Sequence, residues 1–161
     1  MIIISTDSFL KKGIEELYQG FKAKDLIIFD ICGRLYFLDR KMIKTGPVYR
    51  NYLHFNHFSI KKSSCLSSLK RVIKGKQWKS AYHQRIKITE REQEVIKLMA
   101  QGYNQRKISI ILNLGEKAIS YYKINALRKK KVKGMPFMIL AMNEWDEMMA
   151  TLKKNHHDME F

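Results

Sequence analysis

Residues Ile88 to Lys130, ITEREQEVIKLMAQGYNQRKISIILNLGEKAISYYKINALRKK, read as three helices whose ends are written in their capping residues. Thr89 caps the first helix while Glu92, three residues on, reaches back to the Thr89 amide, and Gly102 supplies the left-handed residue that stops it. Between those ends Val95, Ile96, Leu98 and Met99 recur at helical spacing, so this helix buries one face under the next two. Asn104 caps a second helix from about Gln105 to Leu112, with Ile108, Ile111 and Leu112 inward and Gln105, Arg106 and Lys107 outward. Asn113, Leu114 and Gly115 form a tight connector in which the apolar Leu114 plugs the gap between steeply crossing helices. A third helix, Glu116 to Lys130, turns Ile119, Tyr122, Ala126 and, at its margin, Leu127 inward. Its open side carries Lys117, Ser120, Tyr121, Lys123, Ile124 and Arg128. Basic and hydrogen-bonding groups on the free face of such a helix suit the major groove of double-stranded DNA.

These residues resemble the LuxR-type helix-turn-helix, the DNA-binding domain of the NarL/FixJ group of regulators. The family pattern of Leu-Thr, Arg-Glu, Glu-Val-Leu and Leu-x-Ala-x-Gly appears as Ile88-Thr89, Arg91-Glu92, Glu94-Val95-Ile96 and Leu98-Met99-Ala100-Gln101-Gly102. The later pattern appears as Gly115-Glu116-Lys117-Ala118-Ile119, Tyr122, Asn125 and Arg128-Lys129. The resemblance covers roughly residues 86–142 without a gap. Departures gather in the third helix: Gly115 replaces the usual cap, Ala118 a threonine, Tyr122 a histidine and Lys130 an apolar residue. The resemblance implies base-edge contacts from Ser120, Tyr121 and Ile124, and phosphate contacts from Lys117, Lys123, Arg128 and Lys129. It also implies that the final helix is a dimer contact. After Gly134 and Pro136, a good first-turn residue, the residues Phe137, Leu140, Ala141, Trp145, Met148, Met149 and Leu152 fall on one helical face. Phe137, Leu140, Ala141, Trp145, Met148 and Met149 are therefore the expected dimer interface, with intrachain packing as the alternative.

The charge agrees with a polyanionic partner. The 161-residue chain carries a formal net charge of +16, and from Arg40 to Lys133 its only acids are Glu90, Glu92, Glu94 and Glu116. Such a field attracts polyanions without choosing among them. The two cysteines, Cys32 and Cys65, lack metal-ligand spacing and are expected as buried, reduced thiols. No apolar run is long enough to span a bilayer, and the amino-terminal residues MIIISTDSFLKK lack a basic start and a cleavage site, so a cytoplasmic protein is expected.

Ahead of the helices the chain reads as a small α/β unit. Ile2 to Ile4 form a strand, Asp7 or Ser8 caps a helix carrying Leu10, Ile14, Leu17, Tyr18 and Phe21, and Leu26 to Ile31 form a second, parallel strand. This order resembles the receiver domain of response regulators. Asp7 falls where the acidic pocket begins, Asp30 where the phosphoacceptor stands, and Lys62, before a helix with Leu66, Leu69, Val72, Ile73 and Gly75, where the receiver lysine stands. The resemblance is incomplete: Asp30 follows Asp7 by only 23 positions, and Thr6 replaces one member of the acid pair. Phosphoryl chemistry needs a divalent ion held by several oxygens, so the unit is expected to work without phosphorylation, with Asp30 capping a turn or pairing with Lys62. His54 and His57, in the aromatic stretch from Tyr49 to Phe58, are a weak metal pair.

The expected organisation is a shortened, receiver-like α/β domain over residues 1–75, a basic linker over 76–85 containing Trp78, and an all-α, four-helix LuxR-type helix-turn-helix domain over 86–154. No nucleophile triad, metal cluster or Gly-rich phosphate loop is present in the sequence, so neither enzymatic activity nor a cofactor is expected. The expected role is a sequence-specific, phosphorylation-independent transcriptional regulator. Its expected partners are double-stranded DNA, a second copy or another LuxR-type regulator, and RNA polymerase. The alternative is a protein-interaction module that modulates another regulator, with DNA contact secondary.

Overall fold

The computed structural model describes residues 1–19, 25–40, 51–54, 58–75 and 87–157. The chain divides into two compact units. One joins Met1–Arg85 to Glu144–Phe161, and the other is Ile86–Asn143. The second unit spans Ile86–Asn143, against the expected helix-turn-helix domain of 86–154, and the residues from Glu144 fall in the first unit. The 76–85 linker, Phe21 and His57 lie outside the described residues.

In the first unit β1 (Ile2–Ile4), β2 (Leu26–Ile31), β3 (Arg34–Asp39) and β4 (Phe58–Lys61) form one sheet in the order β1-β2-β3-β4. β1 runs parallel to β2, with Ile3 opposite Ile28, as the sequence leads one to expect. β2 and β3 are antiparallel, pairing Leu26 with Asp39 and Ile31 with Arg34, and β3 and β4 are antiparallel in turn. The receiver-like expectation is corrected here, because a receiver sheet is parallel and doubly wound. The physical cause is the two-residue loop Cys32-Gly33, whose φ values of 48° and 73° are both positive. That primed turn matches the strand twist and folds the chain straight back, leaving no room for the crossover helix a parallel pair requires.

Both faces of this sheet are covered, which is why LIIFDI and RLYFLD are nearly continuous apolar runs instead of alternating ones. On one face Ile3, Leu26, Ile28, Leu35 and Phe37 join Ile14 and Tyr18 from helix α1 (Ser8–Leu17) and its C-cap, and Leu69, Val72 and Ile73 from α2 (Leu66–Lys74). On the other, Phe29, Tyr36 and Tyr52 surround Trp145, with ring centroids 5.2, 6.1 and 5.8 Å from the indole. Tyr36 and Tyr52 share a hydroxyl hydrogen bond of 2.9 Å, so their polar tips are satisfied inside the cluster.

Trp145 comes from the far end of the sequence. It lies on the last helix, Met135–His157, whose residues from Glu144 onward belong to this α/β unit. The Glu144 carboxylate accepts from the Cys32 backbone N–H at 3.1 Å, fixing the helix to the β2–β3 turn. The α/β unit is thus closed by residues that follow the helical unit in the chain.

The second unit packs α3 (Glu90–Ala100), α4 (Gln105–Leu112) and α5 (Glu116–Lys130) around Val95, Ile108 and Ile119, with Leu98, Met99, Tyr103, Leu112, Leu114 and Tyr122 against them. The last helix, α6 (Met135–His157), begins in this unit. Asn104 caps α4 by accepting from the Lys107 N–H, and Asn113 ends it in the left-handed conformation. Ile111, expected inward, is 48% exposed: on an eight-residue helix the Ile108–Leu112 row takes the core, and Ile111 falls at its margin.

Candidate nucleic-acid interface

The capping box at the start of α3 is complete. The Glu92 N–H donates to Thr89 Oγ1 at 3.3 Å and the Thr89 N–H donates to Glu92 Oε2 at 2.7 Å. Glu92 is nevertheless buried, and a buried carboxylate is costly unless it is paired. Lys129 supplies the pair: its Nζ lies 2.7 and 2.9 Å from the two Glu92 oxygens and 3.0 Å from the Lys87 carbonyl. The expectation that Lys129 contacts phosphate is therefore corrected. Its ammonium has three acceptors within the helical unit and holds the end of α5 against the start of α3.

The remaining side chains of α5 sort by angle. At 100° per residue Lys117, Tyr121, Ile124 and Arg128 fall within an arc of about 60°. All four are exposed, Tyr121 at 63% and Ile124 at 56%. They form one stripe along the helix, opposite the buried Ile119 and Ala126. Arg128 donates to Asn125 Oδ1 at 3.1 Å, and the Tyr121 ring stands edge-on to Tyr122 at 5.9 Å, so one end of the stripe and its middle are braced from within α5. Ser120 and Lys123, also expected at the interface, are half-buried: Ser120 flanks the stripe, whereas Lys123 lies nearer the buried Ile119. α4 presents Arg106 and Lys107, both exposed, with the Lys107 ammonium 4.7 Å from the Tyr103 ring centroid. Gly115 starts α5 without a side-chain cap, which leaves the first amide groups of that helix without that partner.

The expected dimer residues do not act together. Ala141, Trp145 and Met149 are buried and Met148 is half-buried, whereas Phe137 and Leu140 are about half exposed. Trp145 is core of the α/β unit, so its assignment to an interface is corrected: the Phe29, Tyr36 and Tyr52 rings occupy the surface a partner chain would need.

The acidic positions of the α/β unit form a closed ionic knot. Lys62 Nζ lies 2.8 Å from Asp30 Oδ2 and 3.0 Å from Asp7 Oδ2, and Ser5 Oγ donates to the same Asp30 oxygen at 2.7 Å. Asp7 Oδ1 caps α1 by accepting from the Phe9 and Leu10 N–H groups. Those backbone donors, with Lys62, hold the Asp7 carboxyl below its ordinary range. The pairing of Asp30 with Lys62 is one of the arrangements the sequence suggested.

Neither cysteine is buried, which corrects that expectation: Cys32 is half-buried and Cys65 exposed. The hydroxyls of Ser67 and Ser68 lie 3.0 and 3.2 Å from Cys65 Sγ and draw its thiol down to about 7, whereas burial and Glu144 push Cys32 up to about 11. Among the described residues no group of three or more His, Cys, Asp or Glu is placed to hold a metal ion, and no helix is long and apolar enough to cross a membrane.

Comparison with curated proteins and with solved structures returns no match. Comparison with protein families does: residues 87–141 match the model of bacterial regulatory proteins of the luxR family. The match begins just before the Thr89 capping box and ends in the first turns of α6, so it covers the helical unit and not the sheet. Residues 87–141 are thus similar to the LuxR-family helix-turn-helix domain, and that match supports DNA-binding transcription regulation for this segment.

Proposed function

We propose that this chain is a sequence-specific transcriptional regulator that binds double-stranded DNA through the outer stripe of α5, in the cytoplasm and without phosphorylation. The observation that carries the reading is the stripe itself. Lys117, Tyr121, Ile124 and Arg128 are exposed in a line on the second helix of a helix-turn-helix, in a chain of net charge +16. Tyr121, Ile124 and the flanking Ser120 face base edges. Lys117 and Arg128 neutralise phosphates, with the half-buried Lys123 reaching for the backbone from outside the stripe.

Independence from phosphorylation rests on the ionic knot. The Asp30 oxygen is already engaged by Lys62 and Ser5, and Thr6 leaves the site one acid short of a metal pocket. A dimer on DNA, with a second copy or another LuxR-type regulator, would use the half-exposed Phe137 and Leu140 on the first turns of α6. The interaction-module reading has its own support in Phe9 and Leu66, which are exposed in the first turns of α1 and α2, where they offer apolar contact to RNA polymerase or another regulator.

The two readings separate in the salt dependence of DNA affinity measured on the full chain. A groove-bound helix with basic flanks predicts log Kd rising with log salt at about 0.9 per phosphate neutralised, and a shallower slope for Lys117→Ala. A slope near zero would leave the interaction module as the better account.

A further inference from the structure

We infer that this protein recognises its DNA through the 5-methyl groups of thymine, packed against Ile124 and the ring of Tyr121, and not through a guanine fork. The inference deepens the proposed function and rests on it.

The stripe on α5 is basic only at its ends. Lys117 and Arg128 are eleven positions apart, about 16 Å along the helix axis at 1.5 Å per residue, so a helix set at an angle across the roughly 12 Å major groove has its stripe ends beyond the groove floor. A helix that seats the middle of the stripe in the groove therefore carries both cations toward the phosphate rims. Arg128 donates through one guanidinium nitrogen to Asn125 on its own helix, which draws it toward the end of the stripe. The middle belongs to Tyr121 and Ile124, exposed at 63% and 56%. Tyr121 is braced by the half-buried Tyr122, which packs against the core of the unit, so the ring is pre-positioned.

No side chain in the middle of this stripe has the paired donors that grip guanine O6 and N7, or the amide that grips adenine. Isoleucine has no hydrogen bond to offer, and seating it against polar base edges would strand them without water. The apolar group that the major groove displays is the thymine methyl. Two apolar faces, at positions 121 and 124, therefore fit a pair of thymines on neighbouring steps.

The test uses the full chain and a duplex selected by it from a random-sequence library. Each thymine is replaced singly by deoxyuridine, which removes the methyl and leaves pairing intact. Affinity is expected to fall about fourfold at one or two positions, the scale of burying one methylene. Ile124→Ala should bind the thymine and uracil duplexes alike at one of these positions, and Tyr121→Ala at the other. Ile124→Arg should shift the preferred base at that step toward guanine. Because Ile124 is exposed, these variants are expected to fold, which a melting curve confirms independently. Equal binding of every uracil duplex by the unaltered protein would overturn the inference while leaving the proposed function standing, as would uracil sensitivity that persists in both alanine variants. Selection of no duplex at all would overturn both.

Discussion

The two units each enclose a lysine among acceptors, and the two lysines differ in what they secure. Lys129 reaches a carboxylate that is 4% exposed and ties the end of one helix to the capping box of another. Lys62, itself 32% exposed, bridges Asp7, which is 35% exposed, to Asp30, which is 9% exposed but keeps the Ser5 hydroxyl as a second donor. Burial makes the difference. Removing a cation from an enclosed carboxylate strands a charge, whereas water compensates at a rim. The same contrast recurs along α6, where Trp145 is enclosed by three rings and Phe137, two turns earlier, stands half in solvent.

The largest effect expected is at Trp145. Trp145→Ala should cost about 3–5 kcal/mol, because the three surrounding rings cannot close over an indole-sized void. Chemical denaturation followed by near-ultraviolet dichroism measures it. Phe137→Ala in the same helix should cost under about 1 kcal/mol, as a largely exposed substitution. Equal costs would mean that the second half of α6 is not core of the α/β unit.

Lys129→Ala comes next, at about 3 kcal/mol, since it leaves Glu92 buried without its partner. Lys62→Ala should cost about 1 kcal/mol. The Asp7 carboxyl is held below its ordinary value, so its contribution is present above the unfolded-state value near 4 and is lost as pH falls through the folded one. A pH titration of stability for the unaltered protein and for Lys62→Ala should therefore converge in acid. Curves that stay parallel down to pH 2 would remove the ionic knot from the account.

These comparisons also separate what could be read from the chain from what could not. The starts and ends of α3, α4 and α5 rest on interactions within four or five residues: Thr89 with Glu92, Asn104 with Lys107, and the left-handed turn at Asn113. Each can be named from neighbours alone, and the stripe on α5 follows from the same periodicity. The strands β1 and β2 were legible as apolar runs. β3 was not, because its partner is set by a turn at Cys32, a residue that carries none of the Asn or Asp signal usual for that conformation. Periodicity marks an apolar face on α6 but says nothing of its cover, which arrives from β2, β3 and Tyr52, far away in sequence. Lys129 reads as one more cation in a basic run. Only the buried Glu92, itself part of a capping box, shows why it is withdrawn from the surface.

A smaller contrast, without consequence for stability, lies between the thiols. Cys65, drawn down to about 7, should be alkylated by iodoacetamide in a phase whose rate rises through neutral pH, and Cys65→Ser should abolish that phase. Cys32, pushed up to about 11 and half-buried, should react far more slowly. Comparable rates for the two would show that the Ser67 and Ser68 hydroxyls do not hold the Cys65 sulfur.

The account turns on α5 reading base pairs, and one titration tests it most directly. Binding of the full chain to a selected duplex and to a scrambled one is measured for the unaltered protein, Lys117→Ala and Tyr121→Ala. Tyr121→Ala should lose about 1–3 kcal/mol on the selected duplex and little on the scrambled one, while Lys117→Ala should weaken both alike. Equal losses on both duplexes for Tyr121→Ala would contradict the placement of the α5 stripe in the groove.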